Sequence, residues 1–216
     1  MKMRESVEKK RKRALEIIDI FNKEYPDSEC TLNYESPLRL VIATQLAAQC
    51  TDARVNMVTP ALFEKYPDVC AFAAADEEEL MGYIRSTGFF RNKARNIIAC
   101  CRKLISDFGG EVPQTMEELL TLPGVGRKTA NLVLGDAFGI SGIVVDTHAS
   151  RLSRRMGFTE NTDPYKIELD LLKVIPPAEQ TAFCHRLVDH GRKYCTARKP
   201  KCDECPINHI CKRVGI

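Results

Sequence analysis

The stretch from Pro37 to Gln49 limits what this chain can become more than any other. Leu38, Leu40, Val41, Ile42, Ala43, Leu46, Ala47 and Ala48 leave no polar face. Ser36-Pro37 supplies a capping hydroxyl and a proline at the first helical position, so the segment reads as a helix over 37–49. A helix that is apolar on every side cannot lie on a surface; it must be surrounded. The polar cluster Gln49-Cys50-Thr51-Asp52 at its end then lies at the tip of a buried element.

The surrounding elements also read as helices. Val7, Leu15, Ile17, Ile18, Ile20 and Phe21 give residues 6–24 an amphipathic pattern that ends near Tyr25-Pro26. Thr51 or Asp52 caps a further helix, which Pro60 should disturb, and Asp76 caps 77–85. Residues 91–107 form an amphipathic helix stopped by Gly109-Gly110, preceded by a loop carrying Phe89 and Phe90. Thr115-x-x-Glu118 is a capping box that opens a short helix to about Leu122. Further helices follow over 126–137, from Asp146 to about Met156, over 164–175 behind Asp163-Pro164, and over 178–192. Ile143-Val144-Val145 is the nearest approach to a strand and is too short to define a sheet. The fold class expected is all-α, with roughly ten helices.

At 216 residues, the chain is long enough for one large domain or two small ones, and 44% hydrophobic with 28% charged residues is globular composition. No apolar run approaches the roughly 20 residues of a membrane helix, and no signal-peptide pattern opens the chain, so a cytoplasmic protein is expected. The net charge of +3 hides a polarity. Residues 1–13 and 184–216 are each strongly basic, while the middle is acidic. Basic ends suit a polyanionic partner, although a solvated N-terminal tail would show the same pattern.

Four of the ten cysteines crowd the C-terminus as Cys195-x6-Cys202-x2-Cys205-x5-Cys211. Such crowding calls for a metal centre. Structural zinc usually uses paired Cys-x-x-Cys knuckles or mixes in histidine, whereas four cysteines with unequal loops suit a cubane iron–sulfur cluster; zinc stays open as the alternative. Between the first two cysteines, Arg198, Lys199 and Lys201 sit on a loop pinned at both ends, a phosphate-facing finger. The six other cysteines form no such motif and read as small packing residues.

Leu122-Pro123-Gly124-Val125-Gly126-Arg127-Lys128-Thr129-Ala130 joins two helices through a glycine turn. Glycine permits positive φ and close backbone approach, and amides at a helix start bind anions, so Gly124, Gly126 and Arg127 are candidates to hold a DNA phosphate without reading sequence. An ordinary αα-turn would look alike. Lys128 sits near the positive end of the helix dipole beside Arg127; both disfavour its charged form, and a neutral amine can attack carbon to form a Schiff base. Most helix lysines, by contrast, are simply solvated. Asp146 is an N-cap by local sequence, and a cap is also a rigidly held carboxylate, so the structural and catalytic roles are compatible. No chemistry is assigned to His148, His185 or His190.

Taken together, the Leu122–Asn131 hairpin, Val145-Asp146-Thr147-His148 and the four-cysteine tail resemble the endonuclease III family, DNA glycosylases and AP lyases of the helix-hairpin-helix superfamily. The resemblance runs from about residue 10 to the C-terminus. It implies two all-α domains with a DNA-binding cleft between them. A six-helix barrel would cover 30–140, with the helix-hairpin-helix at about 115–137, and a cluster domain would combine 1–29 with 141–216. It implies Lys128 as Schiff-base nucleophile, Asp146 as catalytic aspartate, and Cys195, Cys202, Cys205 and Cys211 as ligands of a [4Fe-4S] cluster. Gln49 would fill the hole left by an extruded base, and Phe89 would be the wedge where the family usually has leucine. Ala47 stands where a serine often precedes that glutamine. The implied partner is double-stranded DNA containing damaged pyrimidines or abasic sites, met by a monomer in the bacterial cytoplasm, at the nucleoid through its DNA. An adenine mismatch glycosylase generally lacks this lysine, and a non-enzymatic iron–sulfur DNA sensor gives no reason for Lys128 and Asp146 together.

Overall fold

The computed structural model describes residues 5–216. Lys2 and Arg4 of the N-terminal basic run lie outside the described residues. Eleven α-helices and three single-turn 3-10 helices make up the regular structure among them, with no strand. The helices are α1 Val7–Glu24, α2 Pro37–Leu46, α3 Asp52–Lys65, α4 Val69–Ala73, α5 Glu77–Ile84, α6 Phe90–Phe108, α7 Met116–Leu119, α8 Arg127–Phe138, α9 Thr147–Arg155, α10 Pro164–Leu172 and α11 Gln180–Lys193. None is long and apolar enough to cross a membrane. The chain divides into two compact units, residues 30–140 and residues 1–29 with 141–216.

In the 30–140 unit, α2 is the hub. All seven residues from Leu40 to Leu46 are buried, and the helix packs against α3, α6 and α8. Each large side chain removed from water there contributes about 1.5–3 kcal/mol, which is why an all-apolar helix takes the centre. The amphipathic α6 buries Ala94, Ile97, Ile98, Cys101 and Leu104 and carries α4 and α5 on its flank. Residue spacing gave no sign of α4, a five-residue helix capped by Asp68. The disturbance expected of Pro60 is absent, since α3 runs through it. Pro60 is exposed, so water can satisfy the carbonyl that its missing N–H leaves open.

The other unit is built on α1 and α11. Ala14, Ile17, Ile18 and Phe21 of α1 and Phe183 and Leu187 of α11 are all buried, and the two helices pack together with the Phe21 and Phe183 rings stacked at 6.0 Å. The α9 helix packs on both α10 and α11. Gly191 makes the α9–α11 approach possible, since a Cβ there would overlap His148 and Arg151. Ile143 and Val144 are buried, as a strand would be, but they pair with no ladder; the Val144 amide instead donates to the Cys184 sulfur at 3.3 Å.

Candidate functional site

Eight of the eleven helices start with a serine, threonine or aspartate side chain on the first-turn amides; α6, α8 and α11 do not. The α8 start is the hairpin. Thr115 caps α7, the turn closes through a bond from the Val125 amide to the Leu122 carbonyl at 3.1 Å, and Gly126 is the N-cap of α8 with no side chain to offer. The first-turn amides therefore face outward without a competing internal acceptor from a cap, as an anion site requires.

The two glycines do different work. Gly124 has φ +77°, and a Cβ there would stand 2.5 Å from Gln45 Oε1 and 2.9 Å from Asn96 Cβ. Gly126 has φ −98°, which any residue adopts, and nothing lies within 4 Å of its missing Cβ. Positive φ, expected of the hairpin generally, is thus confined to Gly124. Gly126 leaves open space in front of the helix instead.

Lys128 is the second residue of α8 and is exposed. Among the described residues its ammonium has no ion-pair or hydrogen-bond partner. Asp146 caps α9: its Oδ1 accepts from the Ala149 amide at 2.7 Å, and its backbone carbonyl accepts from Ser150 at 2.9 Å. The carboxylate is half-buried, and the second oxygen carries no such bond among the described residues. Lys128 belongs to the 30–140 unit and Asp146 to the other.

The 30–140 unit does bring several expected residues together. Gln49, Phe89 and Gly124 line one cavity of ≈ 220 Å³ with Asn92, Lys93 and Asn96. Expected to run to Gln49, α2 instead ends at Leu46, because Gln49 turns left-handed at φ 53° and the chain closes through a bond from the Cys50 amide to the Ala47 carbonyl at 3.1 Å. Phe89 is also left-handed, at φ 48°, and 62% exposed. Two non-glycine residues in this conformation on one rim mark stored backbone strain. Beneath them Lys93, unnoticed in the sequence, is 5% exposed. Its Nζ donates to the carbonyls of Leu46 and Thr87, each at 2.8 Å. Burial lowers its pKa, with Cys50 acting weakly the other way. Gln45 is buried against Gly124, and its amide has no hydrogen-bond partner among the described residues.

In the other unit, Cys195, Cys202, Cys205 and Cys211 line a single cavity floored by Met156 and Ile207. No three metal-binding side chains among the described residues gather closely enough to hold one ion. The four cysteines line one shared space, and an all-cysteine donor set suits an iron–sulfur cluster. Burial pushes the Cys205 thiol up to about 11 and raises Cys211, with the other thiols adding to the effect. Four thiolates therefore need a cationic centre to coexist there, and the donor set fits an iron–sulfur group. Polar groups already stand beside two of the sulfurs: Arg155 Nη1 donates to Cys195 Sγ at 3.3 Å, and His190 Nε2 lies 3.4 Å from Cys205 Sγ.

Arg198, Lys199 and Lys201 are exposed on the loop between Cys195 and Cys202. Arg155 donates to the carbonyls of Thr196 at 2.7 Å and Ala197 at 2.8 Å, and Arg151 donates to that of Cys195 at 3.0 Å. These two arginines, some 40 residues upstream, brace the finger from behind, and no local spacing announces them.

Known proteins resemble this chain over most of its length. The HhH-GPD superfamily base excision DNA repair model matches residues 42–177, and the model for the iron–sulfur binding domain of endonuclease III matches 195–211. Endonuclease III of Synechocystis sp. is 57% identical over 94% of this chain and 93% of its own length. The Bacillus subtilis protein is 44% identical over 90% of each, and the Escherichia coli K12 protein 43% identical over 92% and 94%. The solved structure of a non-covalent endonuclease III–DNA complex superposes with a TM-score of 0.89 at 45% identity, covering 94% of this chain and 95% of that one. A thermostable thymine-DNA glycosylase superposes with a TM-score of 0.84 at 26% identity, covering 97% and 98%.

Proposed function

We propose that this chain, which belongs to the endonuclease III family of the helix-hairpin-helix base-excision repair superfamily, uses Lys128 and Asp146 as its catalytic pair. Its activity is that of a bifunctional DNA glycosylase and AP lyase, which excises oxidised pyrimidines from duplex DNA and cleaves the strand at the abasic site. Its cofactor is a [4Fe-4S] cluster. The observation that carries the residue assignment is the α8 start, where an exposed, unpaired amine follows directly on a glycine-capped turn.

The Lys128 amine attacks C1′ of a nucleotide flipped out of the stack. The N-glycosidic bond breaks, its electron pair leaves with the base, and the base is protonated. The nitrogen lone pair then forms a double bond to C1′ as the C1′–O4′ bond breaks; its electron pair goes to O4′, which takes up a proton, and the opened sugar is left as a protonated imine on Lys128. This acidifies the C2′ proton, whose loss expels the 3′ phosphate by β-elimination. The free oxygen of Asp146 takes the lysine proton or faces the positive charge developing on the sugar, while its partner oxygen keeps the carboxylate fixed on α9. The amides at Gly124, Gly126 and Arg127 hold a backbone phosphate. Gln49 fills the vacated space, and Phe89 wedges against the opposite strand.

Cys195, Cys202, Cys205 and Cys211 hold the cluster, which when bound ties residues 195–211 into one rigid loop; Arg198, Lys199 and Lys201 then meet phosphates. We assign residues 30–140 to the six-helix barrel, with the hairpin at about 115–137, and residues 1–29 with 141–216 to the cluster domain; the two compact units support that division. The enzyme works as a monomer on chromosomal DNA in the bacterial cytoplasm. Borohydride trapping on an abasic duplex tests the nucleophile: wild type gives a covalent adduct and Lys128→Ala none. An undiminished adduct in the variant sinks the assignment.

A further inference from the structure

Two residues on the rim of the Gln49–Phe89 cavity are held in backbone conformations that side-chain-bearing residues avoid, and they come from segments 40 residues apart. Such strain persists only where the surroundings over-determine it. One residue reaches both segments. Lys93 Nζ donates to Leu46 O, the carbonyl at the end of α2 that precedes the Gln49 turn, and to Thr87 O, two residues before Phe89. The Lys93 backbone amide also donates to Phe89 O at 3.0 Å. Each accepting carbonyl closes a helical segment, α2 or the 3-10 turn Arg85–Thr87, where a cation meets the negative end of the local dipole. Among the described residues no acidic side chain holds Lys93, so its ammonium bonds run to these two segments.

We propose that Lys93 is a positioning residue for base extrusion: its ammonium locks the Gln49 turn and the Phe89 loop in register, so that void-filling and wedging occur as one rigid movement into the duplex. This rests on the reading of Gln49 and Phe89 given above. It separates two steps of the reaction. Opening a paired lesion needs the wedge and the filler together, whereas a preformed abasic site has no base to unpair. Lys93 touches neither Lys128 nor the hairpin carbonyls, so the lyase chemistry keeps its own machinery.

The test uses the cluster-loaded full chain and a duplex carrying a reduced abasic analogue opposite the fluorescent base 2-aminopurine. Wild type, on binding, raises the fluorescence as the opposite base unstacks. Lys93→Met keeps the stem and removes both bonds; it is expected to bind and lose most of that rise. Lys93→Gln, which retains a shorter donor, is expected to fall between and serves if the methionine variant folds poorly. In parallel, Lys93→Met should slow excision of a paired oxidised pyrimidine by about tenfold or more while lyase activity on a preformed abasic site stays within about threefold. Phe89→Ala and Gln49→Ala are the reference. If both keep the full fluorescence rise, the wedge-and-filler reading fails and the Lys93 proposal with it. If they lose it while Lys93→Met keeps it, or if Lys93→Met lowers excision and lyase rates equally, Lys93 is a structural lysine only and the proposal is overturned.

Discussion

Replacing Gly124 by alanine separates the two hairpin glycines. The substitution places a Cβ at φ +77°, 2.5 Å from Gln45 Oε1, 2.9 Å from Asn96 Cβ and 3.0 Å from Gln45 Cδ. The left-handed conformation costs an L-residue roughly 1–2 kcal/mol. Overpacking adds about 1–3 kcal/mol, because Asn96 Cβ is fixed to the α6 backbone and Gln45 is already buried. A total of about 2–5 kcal/mol corresponds to a fall in Tm of roughly 5–20 °C for a chain of this size. Gly126→Ala meets neither penalty and should cost under about 1 kcal/mol, mostly from a poorer N-cap, while weakening binding to an abasic duplex by putting a methyl group before the first-turn amides. The assay is thermal melting paired with fluorescence anisotropy on labelled DNA. Adding Gln45→Ala to Gly124→Ala removes one of the two clashing side chains and should recover about 1 kcal/mol beyond additivity. A Gly124→Ala protein that melts like wild type, or a double variant that is strictly additive, refutes the close-packing argument.

Asp146→Asn keeps an oxygen for the Ala149 amide and loses the charge, so stability should change by under about 1 kcal/mol in thermal melts while excision falls by about 100-fold or more; a large drop in Tm with modest kinetic loss points to capping alone. Removing Arg198, Lys199 and Lys201 together should lower the slope of log affinity against log salt by about 0.9 for each phosphate left without its cation, read from titrations at several salt concentrations, and Arg155→Met should weaken the finger with its three cations still present. Glu5 is held at about 2 by hydrogen bonds from Arg13 and Lys212 that outweigh its burial. A depressed folded pKa contributes stability present above the unfolded value of 4.5 and lost as pH falls toward about 2. Glu5→Gln should therefore flatten the acid limb of the stability curve across that window in denaturant melts, and an unchanged limb counts against the assignment.

What the sequence alone determined here is mostly local in origin. The caps at Ser36, Thr51, Asp76, Thr115, Asp146 and Asp163 are side chains bonding amides three residues on, so their spacing is visible in the chain. The burial of α2 follows from a helix with no polar face, whatever surrounds it. The hairpin turn and the crowding of the four cysteines were legible because each lies within one short stretch of chain.

Tertiary structure decided what depends on approach between distant segments. Gln49 leaves the helix and turns left-handed, a choice its own propensity does not make, and the carbonyls on either side of that cavity share Lys93 because α6 carries it there. Gly124 needs to be glycine because Gln45 and Asn96 arrive from two other helices, while Gly126, identical in the sequence pattern, has open space before it. Arg151 and Arg155 brace the cationic finger from about 40 residues upstream. A bond between neighbours in the chain is written in residue spacing; one between neighbours in space exists only once the core has chosen which helices meet.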